Sequence, residues 1–224
     1  MYRIKELFNL DHTIAKEYLE QFTYPWEALA GIEDMIIRLG SSLEKDEYEE
    51  VSEHVWIHRT AKIFQSAYIG APCIIGPETE VRHCAFIRGS ALVGAGCVVG
   101  NSVELKNVIL FDKVQTPHYN YVGDSILGYC SHMGAGSITS NIKSDKTPVV
   151  IRDGDSEIET GIKKVGAMLG DYAEVGCNSV LNPGVILGRE CIVYPTSCVR
   201  GVLHESSIWK TDGSVVKKAC KGHI

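Results

Sequence analysis

Residues Ile57 to Thr116 read IHRTAKIFQSAYIGAPCIIGPETEVRHCAFIRGSALVGAGCVVGNSVELKNVILFDKVQT. An aliphatic or phenylalanine side chain recurs there at every sixth position: Ile57, Ile63, Ile69, Ile75, Val81, Ile87, Val93, Val99, Leu105 and Phe111. Four residues after each stands a small or apolar residue in nine of ten cases: Ala61, Ala67, Cys73, Thr79, Ala85, Ala91, Cys97, Val103 and Ile109, with Gln115 the exception. Each of these also lies two positions before the next aliphatic residue, so both face the same side of one short strand. A period of six fits no helical stripe. It is the period of a parallel β-helix, whose short strands turn corners around one interior. Glycine follows the aliphatic residue at Gly70, Gly76, Gly94 and Gly100, where a tight corner wants it. The stretch predicts a mainly β fold, a parallel β-helix of hexapeptide repeats.

The rhythm breaks at Pro117 to Asn120, then resumes at Val122, Leu127 and Met133 with one five-residue step. It is lost again after Ile138. A second array follows: Leu169, Val175, Leu181, Leu187, Val193 and Val199, with Ala173, Ser179, Val185, Cys191 and Ser197 at the small positions. Between the arrays, about residues 139–164, an irregular loop from Asn141 to Thr147 leads into a hairpin signal at Asp153-Gly154. Its polar flanks suit the wall of a working site better than decoration.

Residues 1–50 read as a helical segment. Asp11 or Thr13 caps a helix with Ile14, Tyr18, Leu19 and Phe22 on one face; a second helix starts near Pro25 and stops at Gly40. Two short helices cannot fold alone, so a small N-terminal cap over the open end of the β-helix is expected. The β-helix then spans 51–205. A tail, 206–224, carries Lys217, Lys218 and Lys221 as a solvated basic end.

Composition excludes several classes. Of 224 residues, 45% are hydrophobic and 22% charged, as in ordinary globular proteins. A net charge of −6 supplies no global basic field for nucleic acid. The start, Met1 to Lys5, lacks the apolar run of a signal peptide, and no stretch approaches membrane-spanning length. Of the eight cysteines, Cys73, Cys97 and Cys191 occupy small inward positions, while Cys84 and Cys198 lie next to or between repeat positions. Free thiols in a cytoplasmic protein are expected, with neither a disulfide framework nor a metal site.

Some corners lack glycine. Arg82, Arg88 and Lys106 follow the aliphatic residue in three hexads. Arg88 and Lys106 are eighteen residues, or three hexads, apart, so a coil of that length would stack them roughly 5 Å apart at one corner. Two such cations repel by about 1 kcal/mol at water-like dielectric. Either a carboxylate such as Glu104 relieves them or an anion does, most naturally a phosphate. Charge alone leaves both open. With Pro117 on the next rung, His118 takes the corresponding place on the neighbouring corner, beside the break, as a candidate general base.

Arg88, Glu104-Leu105-Lys106, His118-x-x-Tyr121-x-Gly123-Asp124, Gly134-Ala135-Gly136 and Asn141 together resemble the acetyltransferase domain of bifunctional glucosamine-1-phosphate acetyltransferase/N-acetylglucosamine-1-phosphate uridyltransferase. The intervals match without a gap from Arg88 to Asn141. The resemblance implies a left-handed β-helix with eighteen residues per coil and a homotrimer with sites between subunits. Handedness comes from the resemblance alone, since the general rule for parallel crossovers favours the right-handed form. By the same resemblance His118 would take the proton from an attacking sugar amine and Asn141 would position the sugar or the base. Arg88, Lys106 and Tyr121 would hold a phosphate. His132 stands in the substrate site where the family has Asn. The backbone of Gly134 and Ala135 would approach the acetyl thioester, and coenzyme A would lie near Cys177 and Pro195.

After Asn141 this chain has Ile142-Lys143-Ser144 where the family has Tyr-Asp-Gly. No uridylyltransferase domain is expected in this sequence before the first array. The expected activity is acetyl-CoA-dependent N-acetylation of an amino-sugar phosphate or nucleotide-linked amino sugar, with no metal required and a place by implication in UDP-N-acetylglucosamine biosynthesis. The alternative is a non-catalytic trimer that binds a sugar nucleotide as scaffold or regulator. A β-helix carbonic anhydrase is set aside because the histidines form no column at coil spacing: His83 and His118 are thirty-five residues apart.

Overall fold

Each hexad forms one short parallel strand and one corner, and three hexads close a coil. The computed structural model describes residues 1–219. Three inward columns run up the solenoid. On the first face Ile57, Ile75, Val93, Leu110, Leu127, Leu169, Leu187 and Leu203 stack in register. The second carries Ile63, Val81, Val99, Thr116, Met133, Val175, Val193 and Trp209. The third carries Ile69, Ile87, Leu105, Val122, Thr139, Leu181 and Val199. The chain is a mainly β solenoid of the hexapeptide-repeat type, in keeping with the left-handed fold that the resemblance implied.

The register corrects the regular reading at one point. Leu105 pairs with Ile87, eighteen residues back, but Leu110 pairs with Val93, seventeen back. The corner after Leu105 is therefore one residue short, and Leu110 rather than Phe111 takes the inward place. Phe111 moves one residue on and packs its ring 5.1 Å from that of Phe8. Thr116, not Pro117, becomes the next rung. The stretch from Pro117 to Asn120 thus turns an ordinary corner and interrupts nothing. Gln115 ceases to be an exception as well, since buried Val114 fills the small position.

Corner geometry also differs from expectation. The left-handed backbone falls three residues after the inward one, and side-chain-bearing residues adopt it: Glu78, Cys84, Ser90, Ser102, Lys113 and Tyr119 all have φ between 49° and 60°. The glycine just after the inward residue serves close stacking instead. A Cβ on Gly100 would lie 1.6 Å from the Pro117 carbonyl oxygen on the next coil.

The helical residues lie along the solenoid rather than over its end. Outward positions of the first face are apolar and in register: Trp56, Ile74, Leu92 and Ile109. Exposing such a column costs more than leaving an open end, and the helix Ile32–Ser41 packs on these strands. Gly40 sits inside that helix and not beyond it, because any Cβ there would meet the Trp56 ring at 2.1 Å. The helix expected over Ile14 to Phe22 shrinks to Lys16–Leu19, with Ile14 exposed. Before it, residues 2–12 run down the first corner. Leu7 accepts from Asp171 N at 3.1 Å, and His12 from Asp112 N at 3.0 Å.

The insertion leaves the third corner after Thr139. Its hairpin, Val150–Asp153 with Ser156–Glu159, lies on the upper coils. Val149 and Ile151 are buried against Gly184, and Asp153 binds His204 at 2.9 Å. Past residue 205 the solenoid continues through Ser207–Trp209, and Val215–Lys217 closes that edge antiparallel. Lys217 donates to the Glu205 carbonyl and Lys218 pairs with Glu190, so these two cations are tied down. Lys221 lies outside the described residues.

Candidate active site

Two groups of the expected residues form, on different parts of the prism. The first is a column on the second corner. His118, Ala135, Cys177 and Pro195 each stand two residues after an inward residue of the second face: Thr116, Met133, Val175 and Val193. Backbone bonds tie the column together. Gly136 N donates to His118 O at 3.0 Å, Asn178 N to Ala135 O at 2.8 Å, and Thr196 N to Cys177 O at 2.8 Å. Gly134 is stacked so closely that a Cβ there would lie 2.7 Å from Cys177 N. His118 is therefore one coil from Ala135 and two from Cys177, a rise of roughly 5 Å per coil. Its ring is exposed and makes no hydrogen bond among the described residues, while its backbone N–H donates to Asn120 Oδ1.

The second group lies on the third face and corner. Arg88 and Lys106 occupy one corner on successive coils, as the spacing predicted. Each has a carboxylate: Arg88 Nη1 lies 2.9 Å from Glu104 Oε1 and Lys106 Nζ 3.0 Å from Asp124 Oδ1. Repulsion between the two cations is thus relieved without any bound anion. Glu104 was foreseen as a partner. The contacts of Asp124 depend on the shortened corners, which the regular spacing does not show.

Those corners explain Asp124. Where the step is five residues, the left-handed residue comes two places after the inward one, at Asn107 (φ 55°) and Asp124 (φ 49°). Asp124 is buried there, 3% exposed, beside the segment that carries Leu29, whose carbonyl shares the Asn107 amide with it. Asn107 Nδ2 donates to Asp124 Oδ1 at 2.9 Å, and Asn141 Nδ2 to Asp124 Oδ2 at 2.5 Å. Asn141 Nδ2 also reaches Tyr121 Oη at 3.1 Å. One buried carboxylate thus gathers residues from three coils. Burial, then the neighbouring Asp124 and Glu104 carboxylates, pushes the Tyr121 phenol up from its ordinary range. It stays neutral near pH 7 and keeps its O–H as a donor.

His132 lies on the second face, stacked between Gln115 and Glu174. Within one chain it stands across the second corner from Tyr121, so these two expected substrate-binding residues lie on different faces. Among the described residues no three His, Cys, Asp or Glu side chains converge as a metal site. No described helix is long and apolar enough to cross a membrane.

No family model matches the sequence. Curated relatives do. A bifunctional protein GlmU from Methanococcus maripaludis is 31% identical over 115 residues, covering 51% of this chain and 28% of the relative. Another GlmU, from a Cyanothece species, is 33% identical over 139 residues, 62% of this chain and 27% of the relative. The matched stretch spans less than a third of either relative. Among solved structures, a hexapeptide transferase family protein from Anaplasma phagocytophilum aligns with a TM-score of 0.42 at 14% identity, covering 74% of this chain and 79% of that one. The likeness to GlmU proteins agrees with the resemblance carried by Arg88 to Asn141.

Proposed function

We propose that this chain is an acyl-CoA-dependent N-acyltransferase, with acetyl-CoA as donor and an amino-sugar phosphate or nucleotide-linked amino sugar as acceptor. The observation that carries the reading is the Asp124 network. It holds Lys106, Asn141 and Tyr121 in one hydrogen-bonded group, whereas a plain structural corner needs no such group. The resemblance and the likeness to GlmU proteins point the same way.

In this reading His118 removes a proton as the sugar amine attacks the thioester carbonyl, forming the C–N bond. Backbone amides near Gly134 and Ala135 stabilise the oxyanion. Collapse breaks the C–S bond, and the imidazolium returns its proton to the departing thiolate. Pantetheine lies along the column from Ala135 through Cys177 to Pro195. No metal takes part.

The His118 column and the Asp124 group stand on different parts of one prism, so a site completed by a second copy supports the homotrimer that the resemblance implies. Exposed Tyr68 and Phe86, ring centroids 5.5 Å apart on the third face, offer apolar surface for that contact. The seven described cysteines are all free, which suits a reducing, cytoplasmic setting.

The changed stretch after Asn141, Ile142-Lys143-Ser144, favours the scaffold alternative. Arg88 and Lys106 already carry carboxylates, which weakens the electrostatic case for a phosphorylated acceptor. Thiol release from acetyl-CoA, measured against amino sugars, their 1-phosphates and nucleotide-linked forms, separates the two. Release with any member supports transfer. Binding of a sugar nucleotide with no release by any acceptor leaves the scaffold.

A further inference from the structure

Beneath the inserted hairpin lies a cavity of about 390 Å³. It sits between the hairpin and the third corner of the two coils that carry Asn182 and Arg200. Glycines make the close approach possible: a Cβ on Gly184 would meet Ile151 Cδ1 at 2.7 Å, and one on Gly201 the Arg152 carbonyl at 3.0 Å. Three cations line the cavity, Lys143, Arg152 and Arg200, and among the described residues no carboxylate does.

Arg200 has neither an ion pair nor a side-chain hydrogen bond among the described residues, and it is exposed. The other two hold only exchangeable partners. Arg152 Nε meets Glu157 Oε1 at 2.6 Å with both side chains more than half exposed. Lys143 Nζ lies 3.5 Å from Asp145 Oδ2 and 2.6 Å from Thr147 Oγ1. Exposed pairs of this kind contribute little, so an anion can replace them. Two guanidinium forks and an ammonium around a concave wall suit the several oxygens of a diphosphate better than a single carboxylate. The volume falls within the range of small-ligand sites.

Position ties the cavity to the candidate site. Lys143 is two residues beyond Asn141, and Asn182 stacks directly above Ser140. The cavity therefore continues up the corner that begins with Arg88 and Lys106. We propose that it binds the diphosphate of a nucleotide. This rests on the acyltransferase reading, in which two reactants carry that group: the 3′-phospho-ADP end of the donor and a nucleotide-linked acceptor. Without the insertion, Lys143 of its loop and Arg152 of its hairpin would be missing and Arg200 would stand alone on an open corner.

The test is calorimetric binding to the full chain, with uridine 5′-diphosphate in one arm and 3′-phosphoadenosine 5′-diphosphate (the nucleotide end of coenzyme A) in the other. Uridine, adenosine and inorganic phosphate serve as controls. We expect at least one nucleotide to bind, with affinity lowered tenfold or more by Arg200→Ala and partly restored by Arg200→Lys. Weakening confined to the uridine nucleotide assigns the cavity to the acceptor; weakening confined to the adenine nucleotide assigns it to the donor. No binding in either arm overturns the proposal, as does equal binding by Arg200→Ala, or inorganic phosphate matching the nucleotides. Thiol release from acetyl-CoA is measured separately across the full panel of amino sugars, their 1-phosphates and nucleotide-linked forms. Release without nucleotide binding sinks the cavity assignment alone, and no release by any acceptor beside nucleotide binding sinks the transferase reading alone.

Discussion

Lys106 and Asn141 come from different coils and meet the same buried carboxylate: Lys106 Nζ at Asp124 Oδ1, 3.0 Å, and Asn141 Nδ2 at Asp124 Oδ2, 2.5 Å. Asp124 is the hub of the candidate acceptor site. Its geometry depends on a corner one residue shorter than the repeat demands.

Replacing Asp124 by Asn keeps the shape and removes the charge. Hydrogen bonds to a charged group contribute about 1.5–3 kcal/mol. The variant should lose roughly ten- to a hundredfold in kcat/KM for acetyl transfer, with coenzyme A affinity little changed. Unaltered kcat/KM would show that the network is structural only.

Arg88 and Glu104 give a direct test of the phosphate clamp. If Arg88 holds a phosphate, Glu104 competes for it. Glu104→Gln should then tighten binding of an amino-sugar 1-phosphate several-fold, and Arg88→Ala should weaken it by about 1.5–3 kcal/mol. Weaker or unchanged binding by Glu104→Gln in calorimetry removes the clamp from the account.

His118→Ala should lower the rate of single-turnover transfer by about 10²–10⁴, the usual contribution of a general base. His132→Ala should do less, since His132 faces the second face between Gln115 and Glu174. The base assignment fails if the His118 variant transfers as fast as the parent.

Thiol labelling reads the packing of the core. Burial pushes the Cys97 thiol up to about 12 and Cys191 up to about 11, and it raises Cys73 as well. A thiol pKa raised this far leaves almost no thiolate at pH 8, so these three should stay unlabelled in the native protein. Exposed Cys84, Cys177 and Cys198 should react promptly. Rapid modification of Cys97 without unfolding would contradict its inward position.

Gly100→Ala should destabilise the solenoid by about 1–3 kcal/mol or more, because the added methyl meets the Pro117 carbonyl of the next coil. Gly154→Ala offers the control, since nothing lies within 4 Å of a Cβ there; its cost comes only from φ 59°. Thermal unfolding that ranks the two in the opposite order would refute the stacking argument.

The sequence by itself determined the period, and with it the solenoid, the inward aliphatic columns and the stacking of Lys106 on Arg88. All follow from spacings of six and eighteen, which each hexad enforces through its own strand and corner. Other features were not legible, because they depend on how coils of unequal length align. Whether Leu110 or Phe111 points inward was decided by pairing with Val93, one coil below. The same one-residue shortening made Thr116 the rung and placed His118 in column with Ala135, Cys177 and Pro195. The location of the helices was settled by the apolar outer column of Trp56, Ile74, Leu92 and Ile109, which needed covering more than the open end did. Glu104 was legible as a candidate partner, but only tertiary structure assigned it to Arg88 and gave Lys106 the Asp124 carboxylate. A hexad repeat specifies which residues share a corner, but a side chain's partners are chosen among whatever neighbouring coils and insertions bring within reach.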